Sequence, residues 1–158
     1  MKMTKICDTT FFSTILNKFD HGVIICEPYE KESPVLYVNE SFLDMTGYRS
    51  DDVIGRNLDH IIINENEDLD NPFEIINKAI REKLEFNLKF KFIRMDRRNF
   101  WCDFKISPIY DEAGKLNLFI CTFRDCTKEH IMEQAYLQEN KELKRKLDAF
   151  RKSIKRCI

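Results

Sequence analysis

The sharpest alternation in the chain falls in residues 84–92, where Leu84, Phe86, Leu88, Phe90 and Phe92 are apolar and Glu85, Asn87, Lys89 and Lys91 are polar. A period of two puts one set on each face of a strand, so the segment predicts a strand with one buried and one wet face. Residues 95–99 are turn-like, and Phe100, Cys102, Phe104 and Ile106 continue the inward face of an antiparallel partner. Pro108 is expected to end that partner, because it has no N–H for a ladder. The turn Asp111-Glu112-Ala113-Gly114-Lys115 then leads into a last strand over 116–125, rich in Leu, Phe and Ile.

Upstream, Phe12, Ile15, Leu16 and Phe19 follow Asp8-Thr9-Thr10 at helical spacing and predict an amphipathic lead-in helix stopped near Asp20-His21-Gly22. The apolar run 22–27 is too short for a helix and reads as a strand in the middle of a sheet. A second strand is expected over Val35–Val38. Asn39 can cap the helix that follows and Gly47 can stop it. Ser50 is expected to cap a further turn, with Asp51 and Asp52 at the positive end of the dipole and Gly55 closing it. Asn71-Pro72-Phe73-Glu74 is a strong helix start, and Phe73, Ile76 and Ile80 then share a face. The four glycines, 22, 47, 55 and 114, all fall in expected turns or helix stops. The acidic stretch 64–70 reads as a solvated loop, since it lacks the glycine and ligand spacing of a calcium loop.

From Thr127, read as a helix cap, neither Gly nor Pro interrupts the chain. Tyr136, Asn140, Leu143, Leu147, Phe150, Ile154 and Cys157 are spaced alternately by four and three, a heptad seam. A single Asn in such a seam favours a parallel pair of helices in fixed register. Glu139 would face Lys144 of a second copy, whereas Lys146 would face Arg151 and repel it, so a coil of three heptads is expected to be weak. The competing expectation is a helix folded back on its own domain.

Hydrophobic residues make up 43% of the 158, and thirteen Phe supply the bulk of a core. The net charge of −1 hides a split: eight Lys/Arg against two Asp/Glu from Lys141 onward put +6 on the tail and leave −7 on the rest. No apolar run reaches the length of a membrane helix, and the N-terminus lacks a signal-peptide core, so a cytoplasmic protein is expected. Six Cys without Cys-x-x-Cys or metal-ligand spacing read as reduced thiols, and no metal site is expected. The three His, 21, 60 and 130, lie in separate elements, no catalytic grouping or phosphate loop is present, and a non-enzyme is expected.

The order Tyr37-Val38-Asn39, then Phe42, Thr46-Gly47-Tyr48, Asp51-Asp52-Val53 and Gly55-Arg56-Asn57 resembles the front half of a PAS domain. Ile106-Ser107-Pro108-Ile109 before the Asp-x-x-Gly turn, and Arg124-Asp125-Cys126-Thr127 after the last strand, resemble its back half. The resemblance covers roughly residues 14–127. It implies an α+β PAS fold: a five-stranded antiparallel sheet with short helices on one face, a lead-in helix in 1–20, a PAS domain in 21–127 and a long helix in 128–158.

The nearest subfamily is the flavin-binding LOV type, in which the reactive Cys follows Gly-Arg-Asn. Here that residue is Leu58. The other flavin-contacting positions of that subfamily, carried over in register, are Asp59, Ile62, Phe92, Cys102 and Phe123, and none keeps its polar ligand. An acid at the phosphate position would repel the cofactor, and the Phe replacements remove hydrogen bonds while filling volume. No flavin is therefore expected, nor haem, for which His60 is the one nearby ligand. The expected lining is apolar: Leu58, Phe90, Phe92, Cys102, Phe104, Cys121 and Phe123. It forms either a packed core or a small apolar-ligand cavity. The resemblance implies a non-catalytic sensory module, and the heptad seam of Tyr136, Asn140, Leu143, Leu147, Phe150 and Ile154 predicts that it forms a homodimer. A helical partner, kinase or regulator would take its output. A nucleic-acid-associated regulator using the basic tail is the alternative.

Overall fold

The computed structural model describes residues 9–28, 33–62 and 72–157. The acidic stretch 64–70, the cap at Asn71 and Cys7 lie outside the described residues. The chain divides after Asp125 into a sheet-bearing unit and a helical unit.

In the first unit, α1 (Thr9–Leu16) leads to β1 (Gly22–Cys26) and β2 (Val35–Val38). Three short helices follow, α2 (Glu40–Thr46), α3 (Ser50–Val53) and α4 (Leu58–Ile61), then α5 (Pro72–Glu82). The strands β3 (Phe86–Ile93), β4 (Asn99–Tyr110) and β5 (Leu116–Asp125) complete an antiparallel sheet of order β2-β1-β5-β4-β3. This is the α+β architecture expected from the sequence. β1 lies between β2 and β5, and Val23 and Ile24, on opposite faces, are both buried. That is why its sequence is apolar without alternation. Elsewhere one face turns inward, where Phe42, Val53, Leu58, Ile61, Ile76 and Ala79 from the helices meet the strand residues in one core.

The outward residues of β3 to β5 pair across strands. Lys91 sits over the Trp101 ring at 5.7 Å, Arg124 meets Asp103 at 3.0 Å, and Lys105 meets Glu85 at 2.6 Å. These exposed or half-exposed contacts order the sheet surface and add little to stability.

Local chemistry explains most boundaries. Asn39 caps α2 by accepting from the Phe42 N–H, and Gly47, at φ 77°, ends it with its N–H on Leu43 O. Five expectations need correction. Ser50 is the first helical residue of α3, not its cap: Arg49 holds the extended cap conformation and no side chain caps the turn. Likewise α6 (Thr127–Arg156) begins at Thr127, which leaves Cys126 at the cap position without a side-chain cap bond. Leu84 lies before β3 and is exposed. Pro108 does not end β4, which runs on to Tyr110. β3 stops with Phe86 opposite Ile106, so beyond that pair one side of β4 has no strand partner and a missing N–H costs no ladder bond.

Gly22 is no turn residue either. It opens β1, buried, and a Cβ there would meet three Phe42 atoms at 3.1 Å. Gly47, Gly55 and Gly114 do have positive φ.

The second unit is one helix, α6, of 30 residues with none of its helical residues buried. Lys155 and Arg156 stand in its last turn, where cations suit the helix dipole. Glu142 and Lys146 form an i,i+4 pair at 3.2 Å.

Candidate functional site

The alternation that defines β3, β4 and β5 sends Phe90 and Phe92, then Cys102 and Phe104, then Cys121 and Phe123 to the same face, and Leu58 meets them from α4. Phe90 is opposite Cys102 and Phe104 opposite Phe123 in register. All seven residues expected to line the interior are therefore together, each at most 6% exposed.

They do not face one another alone. Phe42, projecting from α2, puts its ring 4.8 Å from Phe123 and 6.2 Å from Phe92. Phe104 lies 5.0 Å from Phe123, and Phe100 lies 5.4 Å from Phe92. Edge-on and offset contacts at these separations are the favourable aromatic geometries. Phe rings thus touch one another across the middle of the inner face.

Sequence reasoning missed Phe42 as a member of this cluster. Its signal was present, three residues after the capping Asn39 and with a glycine at position 22 to receive it.

Of the positions matched to flavin contacts, Leu58, Ile62, Phe92, Cys102 and Phe123 are buried and apolar, and Asp59 is half-buried. Asp59 Oδ1 is buried without a partner among the described residues. His60, the haem candidate, is exposed. Among the described residues no group of three or more His, Cys, Asp or Glu is placed to hold a metal ion.

Two polar devices frame the core. Cys26 and Cys121 are fully buried and interact; burial first, and then the Cys26 thiol, push the Cys121 thiol well above its ordinary pKa. It stays protonated and weakly nucleophilic.

The second device is Asn39, also fully buried. Its Oδ1 accepts from Val23 N–H at 2.7 Å and Phe42 N–H at 3.1 Å, and its Nδ2 donates to Leu16 O and His21 O at 2.9 Å each. Asn17 Oδ1 accepts from Glu40 N–H at 2.9 Å, and Ser41 Oγ donates to Phe19 O. The lead-in segment is therefore stitched to the start of α2, the helix that carries Phe42. Sequence showed Asn39 as a cap and could not show that its amide also holds residues 16–23.

On the opposite face of the sheet, Leu16 and Phe19 border a cleft of about 350 Å³ over Ile120, Thr122 and Arg124. Phe12 and Ile15 of the same helix remain exposed.

The seam residues lie on α6. Tyr136, Leu143, Leu147, Phe150 and Ile154 are exposed by 46–66%, and Asn140 is intermediate.

A family model described as PAS domain matches residues 20–128. A blue-light photoreceptor of Listeria monocytogenes is 35% identical over 115 residues, which are 73% of this chain and 44% of that protein. A bacterioopsin transcriptional activator of Halobacterium salinarum is 31% identical over 127 residues, 80% of this chain and 18% of that one. The chain thus spans less than half the length of these curated relatives. Among solved structures, an RNA-binding light-oxygen-voltage receptor superposes with a TM-score of 0.71 at 21% identity, covering 89% of this chain and 40% of that one. The PAS domain of the fruit-fly ELK potassium channel gives 0.66 at 22% identity, covering 75% and 96%. At such identities the two structures show the fold alone.

Proposed function

Because the chain belongs to the PAS domain family, a family of sensory and signalling domains, we propose that it is a non-catalytic signalling module with a packed aromatic core and an output carried by α6. Flavin has no place in this reading. Rings of Phe42, Phe92 and Phe123 in mutual contact, with Phe104 against Phe123, occupy the middle of the inner face, and the positions that bind flavin in the LOV subfamily keep none of its polar ligands. In this reading the similarity to a blue-light photoreceptor is one of scaffold, without the photochemistry.

The output follows from α6. Its apolar stripe is too narrow to cover a domain face and has the spacing of a two-stranded seam, with one polar position at Asn140. The observation that carries this reading is a 30-residue helix with none of its helical residues buried while Leu143, Leu147, Phe150 and Ile154 are 46–64% exposed. The proposed cover is the same stripe of a second copy, in a parallel dimer. One residue, Cys126, separates β5 from α6, so a shift of β5 at Phe123 would reach the start of the helix directly.

Light scattering at micromolar concentration tests the dimer. Wild type is expected to be dimeric, Leu147→Asp/Phe150→Asp monomeric, and Asn140→Leu more tightly associated with a looser stoichiometry. A double Asp variant that stays dimeric would rule out the seam as the interface.

A further inference from the structure

We infer that the C-terminal half of α6, residues 141–156, docks on an anionic lipid surface, lying in its plane with the stripe of Leu143, Leu147, Phe150 and Ile154 inserted. At about 100° of turn per residue, these four side chains span a sector of roughly 60°, which Cys157 widens to about 80°. Lys144, Arg151 and Lys155 follow along one edge of that sector and Lys146 stands at the other. Long cationic stems on both edges of an apolar stripe can bury their methylenes beside it and keep their charges among lipid headgroups. Lys141, Arg145, Lys152 and Arg156 occupy the back of the helix and add to its positive field. The segment carries two acids. Glu142 is engaged by Lys146, and Asp148 is the single negative charge on the basic side.

Charge complementarity decides the partner. A net charge of +6 over the stretch from Lys141 onward attracts any polyanion. A nucleic acid, however, would engage the cations and leave the stripe in water, and the one aromatic of residues 141–156, Phe150, sits in that stripe and not among the cations on the back of the helix. An anionic bilayer surface uses both features. No described helix is long and apolar enough to cross a membrane, so α6 would lie on the bilayer and not span it. In a parallel coil Lys146 and Arg151 of the other copy repel, whereas at an anionic surface both are neutralised. The inference does not rest on the coil: the two covers compete for one stripe, and at an anionic surface the bilayer takes the place of the second copy.

Co-sedimentation of the full chain with lipid vesicles tests it. Vesicles containing about a third phosphatidylglycerol should bind the protein at about 0.1 M salt and lose much of it at about 0.5 M, while pure phosphatidylcholine should not bind it. Lys141→Gln/Arg145→Gln/Lys152→Gln/Lys155→Gln changes only positions outside the seam. It should weaken partitioning by about tenfold or more without changing the mass seen by light scattering. Leu147→Ser/Phe150→Ser should weaken it by about tenfold or more. The inference is overturned if wild type ignores anionic vesicles, if it binds neutral ones equally, or if either variant binds as wild type does. It is overturned in favour of nucleic acid if duplex DNA is bound in a manner sensitive to the Gln set and indifferent to the Ser pair. Because the Gln set leaves the seam intact, loss of vesicle binding and loss of dimerisation are read separately.

Discussion

Gly22 and Phe42 are in contact at the limit of what a backbone allows: a Cβ on Gly22 would lie 3.1 Å from the Cα, Cβ and Cδ2 of Phe42. The missing side chain lets α2 settle onto β1 and brings the Phe42 ring to 4.8 Å from Phe123. Gly22→Ala is expected to destabilise the fold by about 1–3 kcal/mol, the usual cost of overpacking. Urea unfolding measures it, and an unchanged midpoint would mean that β1 yields without cost.

Asn39 carries a larger share. Asn39→Leu leaves the Val23 N–H and the Leu16 and His21 carbonyls without their amide partner, and should cost about 3 kcal/mol or more. Asn39→Asp keeps the acceptor and loses both donors. Hydrogen exchange should then speed up at residues 16–21 before it does in the sheet, and protection lost evenly over the domain would contradict the stitching role.

Phe123→Gln places an amide among Phe42, Phe92 and Phe104 and should lower stability by several kcal/mol. A Tm equal to that of wild type would mean that water reaches this position and the core is not closed.

Purified protein should be colourless and insensitive to blue light. Leu58→Cys restores one of six altered contacts and should create no photocycle. A visible absorption band that bleaches on illumination, in either protein, would contradict the packed-core reading.

Thiol reagents should separate the cysteines. Cys157 is exposed and should react at neutral pH, while Cys26 and Cys121, fully buried, should react only on unfolding. In a Cys7→Ser background, mild oxidation should link Cys157 of two copies if the coil is parallel and in register, and monomers alone on a non-reducing gel would oppose that register. The raised pKa of Cys121 has a definite sign. Its contribution to stability is fully present below the ordinary thiol pKa, about 8.5, and is lost as pH rises through the higher folded value.

Strands β3, β4 and β5 were legible because they are written in period two, and Phe90, Phe92, Cys102, Phe104, Cys121 and Phe123 on their inner face with them, whereas β1 was legible as a short unbroken apolar run and Leu58, on α4, only through the family resemblance. What escaped depended on neighbours. A Ser beside an acidic turn signals a helix start but not whether it or the preceding residue holds the extended cap geometry, as Arg49 does (φ −93°, ψ 152°). Pro108 looked like a strand end because the sequence does not show where β3 stops. Gly22 read as a turn because its role is set by Phe42, twenty residues on. Leu84 fits the alternation yet lies outside the ladder, since Phe86 is the first residue of β3 with a partner on β4.

Pro108 also bears on what the sheet refuses to do. Past Ile106 the far side of β4 has no strand partner, and an unpaired strand edge offers a template on which another chain can lay down a strand of its own. A residue with no N–H interrupts that template at its second position. Recruitment of foreign strands, and the fibrous growth it seeds, is thereby discouraged on this margin.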